Sequence, residues 1–89
     1  MTKAERLLDK VATALRDKGS YSHGGRTWKR DGNKLSEHKD ATGNWHSVSK
    51  ASLTHHVCFV ARTCADWSDD AEGEVIDAMR AKYGETVYP

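Results

Sequence analysis

The stretch TWKRDGNKLSEH, Thr27 to His38, decides how this chain is read, because it has the form of a β-hairpin folded about Asp31-Gly32. Asp-Gly is a strong signal for a two-residue type I′ turn, whose central positions both need positive φ. A turn there sets Arg30 opposite Asn33, Lys29 opposite Lys34, Trp28 opposite Leu35, Thr27 opposite Ser36 and Arg26 opposite Glu37. Trp28 with Leu35 is a favourable apolar pair, and Arg26 with Glu37 an opposite-charge pair.

Asp40-Ala41-Thr42-Gly43 carries the next turn signal. A four-residue loop there places His38 opposite Trp45, Glu37 opposite His46 and Leu35 opposite Val48. Trp28, Leu35 and Val48 then share one face of a three-stranded antiparallel meander, and a slip of one residue would turn Val48 to the wrong side. Three short strands are stable only when a face packs on something else. Helical patterns flank them on both sides.

Upstream, Thr2-Lys3-Ala4-Glu5 has the spacing of a capping box. Leu7, Leu8, Val11, Ala14 and Leu15 follow on one helical face, which predicts a helix over 3–18 ended by Gly19. Ser20 to Gly25 reads as a loop. Downstream of Ser52, the residues Leu53, Val57, Val60, Cys64 and Trp67 form a second helical stripe. A fourth strand across Thr54 to Val60 is the rival reading of HHVCFVA, and the stripe favours helix. Asp69-x-x-Glu72 starts a third helix, with acids where the dipole favours them. Its inner face is Ala71, Val75, Ile76, Met79 and Tyr83, and Gly84 stops it. The predicted fold class is α+β: an N-terminal helix, a three-stranded antiparallel meander and two C-terminal helices packed on one sheet face. Residues 1–89 make a single compact domain.

Composition bounds what such a domain can do. A chain of 89 residues buries roughly 60–65% of its unfolded surface, which leaves a thin core and little room for a deep cleft. Apolar residues make up 37% and charged residues 30%. The mean hydropathy of -0.79 is that of a polar protein. No apolar run approaches the roughly 20 residues that span a bilayer. The opening MTKAERLLDK lacks the continuous apolar core of a secretory signal. A cytoplasmic location with no membrane partner is the expectation. On a helix, Cys58 and Cys64 would lie on opposed faces about 9 Å apart along the axis, beyond the roughly 7 Å a disulfide spans. Two free buried thiols suit a reducing compartment.

The formal net charge of +1 conceals an asymmetry: +2 over residues 1–18, +3 over 19–50 and -4 over 51–89. Charge asymmetry of this kind accompanies charged partners, and also proteins that merely balance themselves.

Three kinds of chemistry can be weighed against these residues. Zinc sites use four N or S ligands, often in paired spacings. His55, His56 and Cys58 cluster without a second pair, so no metal and no cofactor is expected. Glu37 beside His46 is the one specific acid–base pair, and such pairs on sheets are usually structural, so the chain is read as non-enzymatic. No glycine-rich phosphate loop is present, since Gly24-Gly25 lacks the strand-to-helix context.

If the helices cover the Trp28 face, the opposite face displays Thr27, Lys29, Lys34, Ser36, His38 and Trp45, with Arg30 added at the turn. An exposed Trp ringed by polar groups has the composition of an interface hot spot. The leading expectation is a protein-binding module, an adaptor or inhibitor of the kind phage accessory genes encode. It would contact an unidentified protein partner through Lys29, Arg30, Lys34, His38 and Trp45. The alternative is a DNA- or RNA-binding sheet using Arg26, Lys29, Arg30, Lys34 and Lys39. Against it, the pI of about 7.8 falls below the value above about 9 usual for such domains.

Overall fold

The computed structural model of the chain describes residues 2–39, 41–49, 52–68 and 72–84. The element order is α1 (Lys3–Asp17), β1 (Ser20–His23), β2 (Arg26–Asp31), β3 (Lys34–Lys39), β4 (Asn44–Ser49), α2 (Leu53–Ser68) and α3 (Glu72–Tyr83). The four strands form one antiparallel sheet in the order β1-β2-β3-β4. The α+β class holds, and the meander has four strands where three were expected.

The capping box at the start of α1 is complete. The Glu5 N–H donates to Thr2 Oγ1 at 3.2 Å, and the Thr2 N–H donates to Glu5 Oε1 at 3.2 Å. Ala4, Leu8, Val11 and Leu15 then bury one face of the helix.

The additional strand is β1, Ser20–His23, where the Ser- and Gly-rich composition of residues 20–25 predicts a loop. Its four residues, SYSH, contain no β-branched side chain, so local propensity is weak. Tertiary packing supplies the rest: Tyr21 is buried and lies against Trp28, ring centroids 6.2 Å apart. Gly24 and Gly25 both take positive φ, 58° and 82°, and join His23 to Arg26 as a two-residue turn.

The second turn falls one residue later than expected. Gly32-Asn33 makes it, so Asp31 faces Lys34, Arg30 faces Leu35, Lys29 faces Ser36, Trp28 faces Glu37 and Thr27 faces His38. The expected register would have opposed Lys29 to Lys34, which is repulsive. The observed one opposes Asp31 to Lys34, which is attractive. Each partner moved by two positions, so no side chain changed face. Arg26 and Glu37 still meet, as a diagonal ion pair. The last hairpin is as expected, with Leu35 opposite Val48, Glu37 opposite His46 and His38 opposite Trp45.

Residues 53–68 are helix, not a fourth strand. Ser52 caps it by accepting from the His55 N–H at 3.3 Å. Val57, Cys58, Val60, Ala61, Cys64 and Ala65 line the core from α2. The side chain of Trp67 lies outside the described residues, as do Asp69 and Ala71. From α3, Val75 and Met79 are buried, Ile76 and Tyr83 half-buried, and Gly84 ends the helix at φ 86°. Tyr21, Trp28 and Leu35 join the helical side chains in one core. No helix among the described residues is long and apolar enough to cross a membrane.

Cys58 and Cys64 are free and buried. Burial pushes the Cys58 thiol up to about 11 and the Cys64 thiol up to about 12. Thiolate is the reactive form, so both should resist a thiol-specific disulfide reagent at pH 8 in the native protein. Both should react stoichiometrically in denaturant. Rapid native labelling of either would show that α2 is not packed as described.

Candidate interaction face of the sheet

Alternation along the strands sorts every sheet residue onto one of two faces. The helix side holds Tyr21, Trp28, Arg30, Leu35, Glu37, His46 and Val48. The opposite side holds Ser20, Ser22, Thr27, Lys29, Asp31, Lys34, Ser36, His38, Trp45 and Ser47, in rows set by the registers. Thr27, His38 and Trp45 form one row; Ser20, Lys29, Ser36 and Ser47 form the next.

Trp45 is 46% exposed, the one large apolar side chain left so among the described residues. Its indole is not isolated. The His38 ring lies beside it with centroids 4.9 Å apart and planes tilted by 35°. The Lys29 Nζ sits 4.9 Å from the indole centroid, reaching from two strands away. Such a cation over an exposed ring is worth about 0.5–1 kcal/mol, enough to bias the orientation of both groups. Hydroxyls surround this cluster, with Ser22 Oγ and Thr27 Oγ1 3.0 Å apart. Lys34 lies farther along β3, exposed and opposite Asp31.

Lys29, Lys34, His38 and Trp45 therefore share the face expected for them. Arg30 does not join them. It stands within β2 instead of at the turn, next to Lys29, and so points to the helix side. There its Nε–H donates to His56 Nδ1 at 3.1 Å. Arg26 also lies on the helix side, paired with Glu37. Lys39 ends β3 opposite Asn44, and its side chain lies outside the described residues. Of the cations named for nucleic acid, only Lys29 and Lys34 are placed on the open face, and Lys34 stands directly opposite Asp31.

Glu37 and His46 are cross-strand neighbours, but the Glu37 carboxylate is engaged by Arg26. Among the described residues, no group of three or more His, Cys, Asp or Glu side chains could hold a metal ion.

His56, weighed from sequence only within the His55, His56 and Cys58 cluster, is fully buried and paired with Arg30. The signal was available: His56 precedes Val60 and Cys64 by four and eight, on the same helical stripe. Its Nδ1 accepts from Arg30, so the proton of the neutral ring sits on Nε2. Burial, with Arg30 and His55 nearby, lowers its pKa from 6.5. The neutral form is thus the one the fold prefers. Stability from this group is fully present above about pH 6.5 and is lost as pH falls through the lower folded value. Between pH 7 and pH 5 the wild type should lose denaturant resistance, and His56→Gln, which can still accept from Arg30, should lose less. Equal losses in the two proteins would remove His56 as the cause.

No protein-family model matches this chain, and no curated protein or solved structure matches it significantly.

Proposed function

We propose that this domain is a non-catalytic protein-binding module that acts by occupying the surface of a partner protein. The observation that carries the reading is the exposed Trp45 indole, held between His38 and Lys29 on a sheet face the helices leave bare. Trp is enriched among the residues that dominate interface energetics. A ring already oriented by its neighbours loses little rotamer entropy when a partner closes over it. Lys29, Lys34 and His38 supply polar contacts around that anchor, and Ser20, Ser22, Thr27, Ser36 and Ser47 supply short hydroxyls suited to a rim.

The chemistry this face fits is an apolar pocket bordered by carboxylates. The nucleic-acid reading is weaker, because Arg26 and Arg30 turn to the helix side. Immobilised wild-type domain should retain a specific protein partner, and the retained complex should survive a rise from 50 to 300 mM salt. Nucleic-acid binding instead falls steeply with salt, in proportion to the phosphates contacted. A tight, salt-sensitive mobility shift with DNA or RNA, and no retained protein, would replace the proposed reading.

A further inference from the structure

We infer that the edge of β4, which no strand among the described residues pairs, is a self-association site, pairing antiparallel with β4 of a second copy to merge two four-stranded sheets into one. The direction of the backbone groups follows from one hydrogen bond. The Arg30 N–H donates to the Gly19 carbonyl at 2.8 Å, so Arg30 turns its backbone toward β1. In an antiparallel ladder a residue sends its N–H and C=O to one side, and its chain neighbours send theirs to the other. Carried through the registers, Thr27, Lys29 and Asp31 bond to β3, and Lys34, Ser36 and His38 bond back to β2. Leu35, Glu37 and Lys39 then face β4, and Val48, His46 and Asn44 answer them. Trp45, Ser47 and Ser49 are left directing their N–H and C=O groups out of the sheet.

The two edges of the sheet are not equivalent. At the other end, β1 is four residues long, directs only Ser20 and Ser22 outward, and has α1 packed against it. β4 is six residues long, NWHSVS, with Trp45, His46 and Ser47 all exposed. Edge strands are normally protected by charged side chains, Pro or bulges. This one contains no Lys, Arg, Asp, Glu, Pro or Gly.

A second copy fits this edge for a geometric reason. A two-fold axis normal to the sheet keeps every residue on its own face, so the residue on the axis must face itself. With Ser47 there, Trp45 faces Ser49 of the second copy, and His46 faces Val48. All three outward N–H groups and all three outward carbonyls of each strand are then satisfied. Centring on His46 would leave the Ser49 groups beyond the end of the partner strand. No charge opposes a like charge, and the interface is isologous, the commonest kind in oligomers. The pairing uses the backbone N–H and C=O groups of β4 and not the side chains of the open face, so this inference does not rest on the proposed function.

Sedimentation equilibrium of the full chain tests it. The mass should rise from that of one chain, 9.9 kDa, toward twice that value between micromolar and millimolar protein. Ser47→Pro removes an N–H that points away from β3, a position where an edge strand tolerates proline. Ser47→Lys and Ser47→Glu each oppose like charges across the axis. Each variant should raise the dimer dissociation constant by about tenfold or more, and mixing the Lys and Glu variants should restore association. Should the proline variant unfold, the Lys and Glu pair decides. A wild type that stays a single chain at millimolar concentration overturns the inference. So do variants that dimerise as the wild type does.

Discussion

Trp28→Ala is expected to destabilise the domain by about 3–5 kcal/mol, the range for truncating a fully buried large aromatic. Trp28 is wholly excluded from solvent, joins the sheet to the helical layer and lies against Tyr21. Removing the indole deletes the largest fully buried side chain among the described residues and leaves a cavity that the surroundings fill only in part. A domain of this length has a total stability on the order of 5–13 kcal/mol, so the variant stands near the unfolding threshold at 37 °C. Urea denaturation followed by far-ultraviolet circular dichroism measures the loss directly. Trp28→Phe should lose less, since it keeps part of the ring volume. A loss below about 1 kcal/mol for the alanine variant would mean that the indole does not sit where the sheet meets the helices.

Trp45→Ala should do the opposite: spare the fold and remove partner binding. Trp45 contributes nothing to the core, so stability should stay within about 1 kcal/mol of wild type, the strand-propensity scale. Affinity for the retained protein should fall about 30-fold or more, equivalent to about 2 kcal/mol, the threshold of an interface hot spot. Lys29→Ala should weaken binding less, because it loses one polar contact and the cation over the ring but keeps the anchor. Isothermal titration with the purified partner separates these cases. Unchanged affinity in Trp45→Ala, with the fold intact, would move the interaction away from this face. Arg30→Ala offers a contrast. Its guanidinium faces His56 on the helix side, so its effect should register in stability and not in affinity.

Trp28 and Trp45 stand on opposite faces of one sheet, so in a Trp67→Phe background, which leaves these two of the three tryptophans, fluorescence quenching by an external agent should report Trp45 and spare Trp28. Partner binding should protect the quenchable component.

Much of this architecture is local. The Thr2–Glu5 box and the spacing of Leu8, Val11 and Leu15 specify α1 without reference to the rest of the chain, because capping and helical periodicity act over a few residues. The β3–β4 register follows from a four-residue loop and an alternating pattern. The same alternation places Trp28 inward and Trp45 outward once the helices are assigned to a side. Even the misplaced turn left those faces intact, since moving a two-residue turn by one shifts each partner by two.

Tertiary structure decided what local chemistry leaves open. SYSH becomes a strand only because Trp28 offers Tyr21 a partner and Gly19 accepts from Arg30. The choice of Gly32-Asn33 over Asp31-Gly32 depends on which charges then oppose one another. Arg30 faces inward because its position falls within a strand whose phase is set by that turn, and His56 is there to receive it. Exposure of Trp45 is likewise a collective result: the helices cover one side of the sheet and leave the other bare. Periodicity assigns a side chain to a face, but only the packing of distant elements determines whether that face meets protein or water.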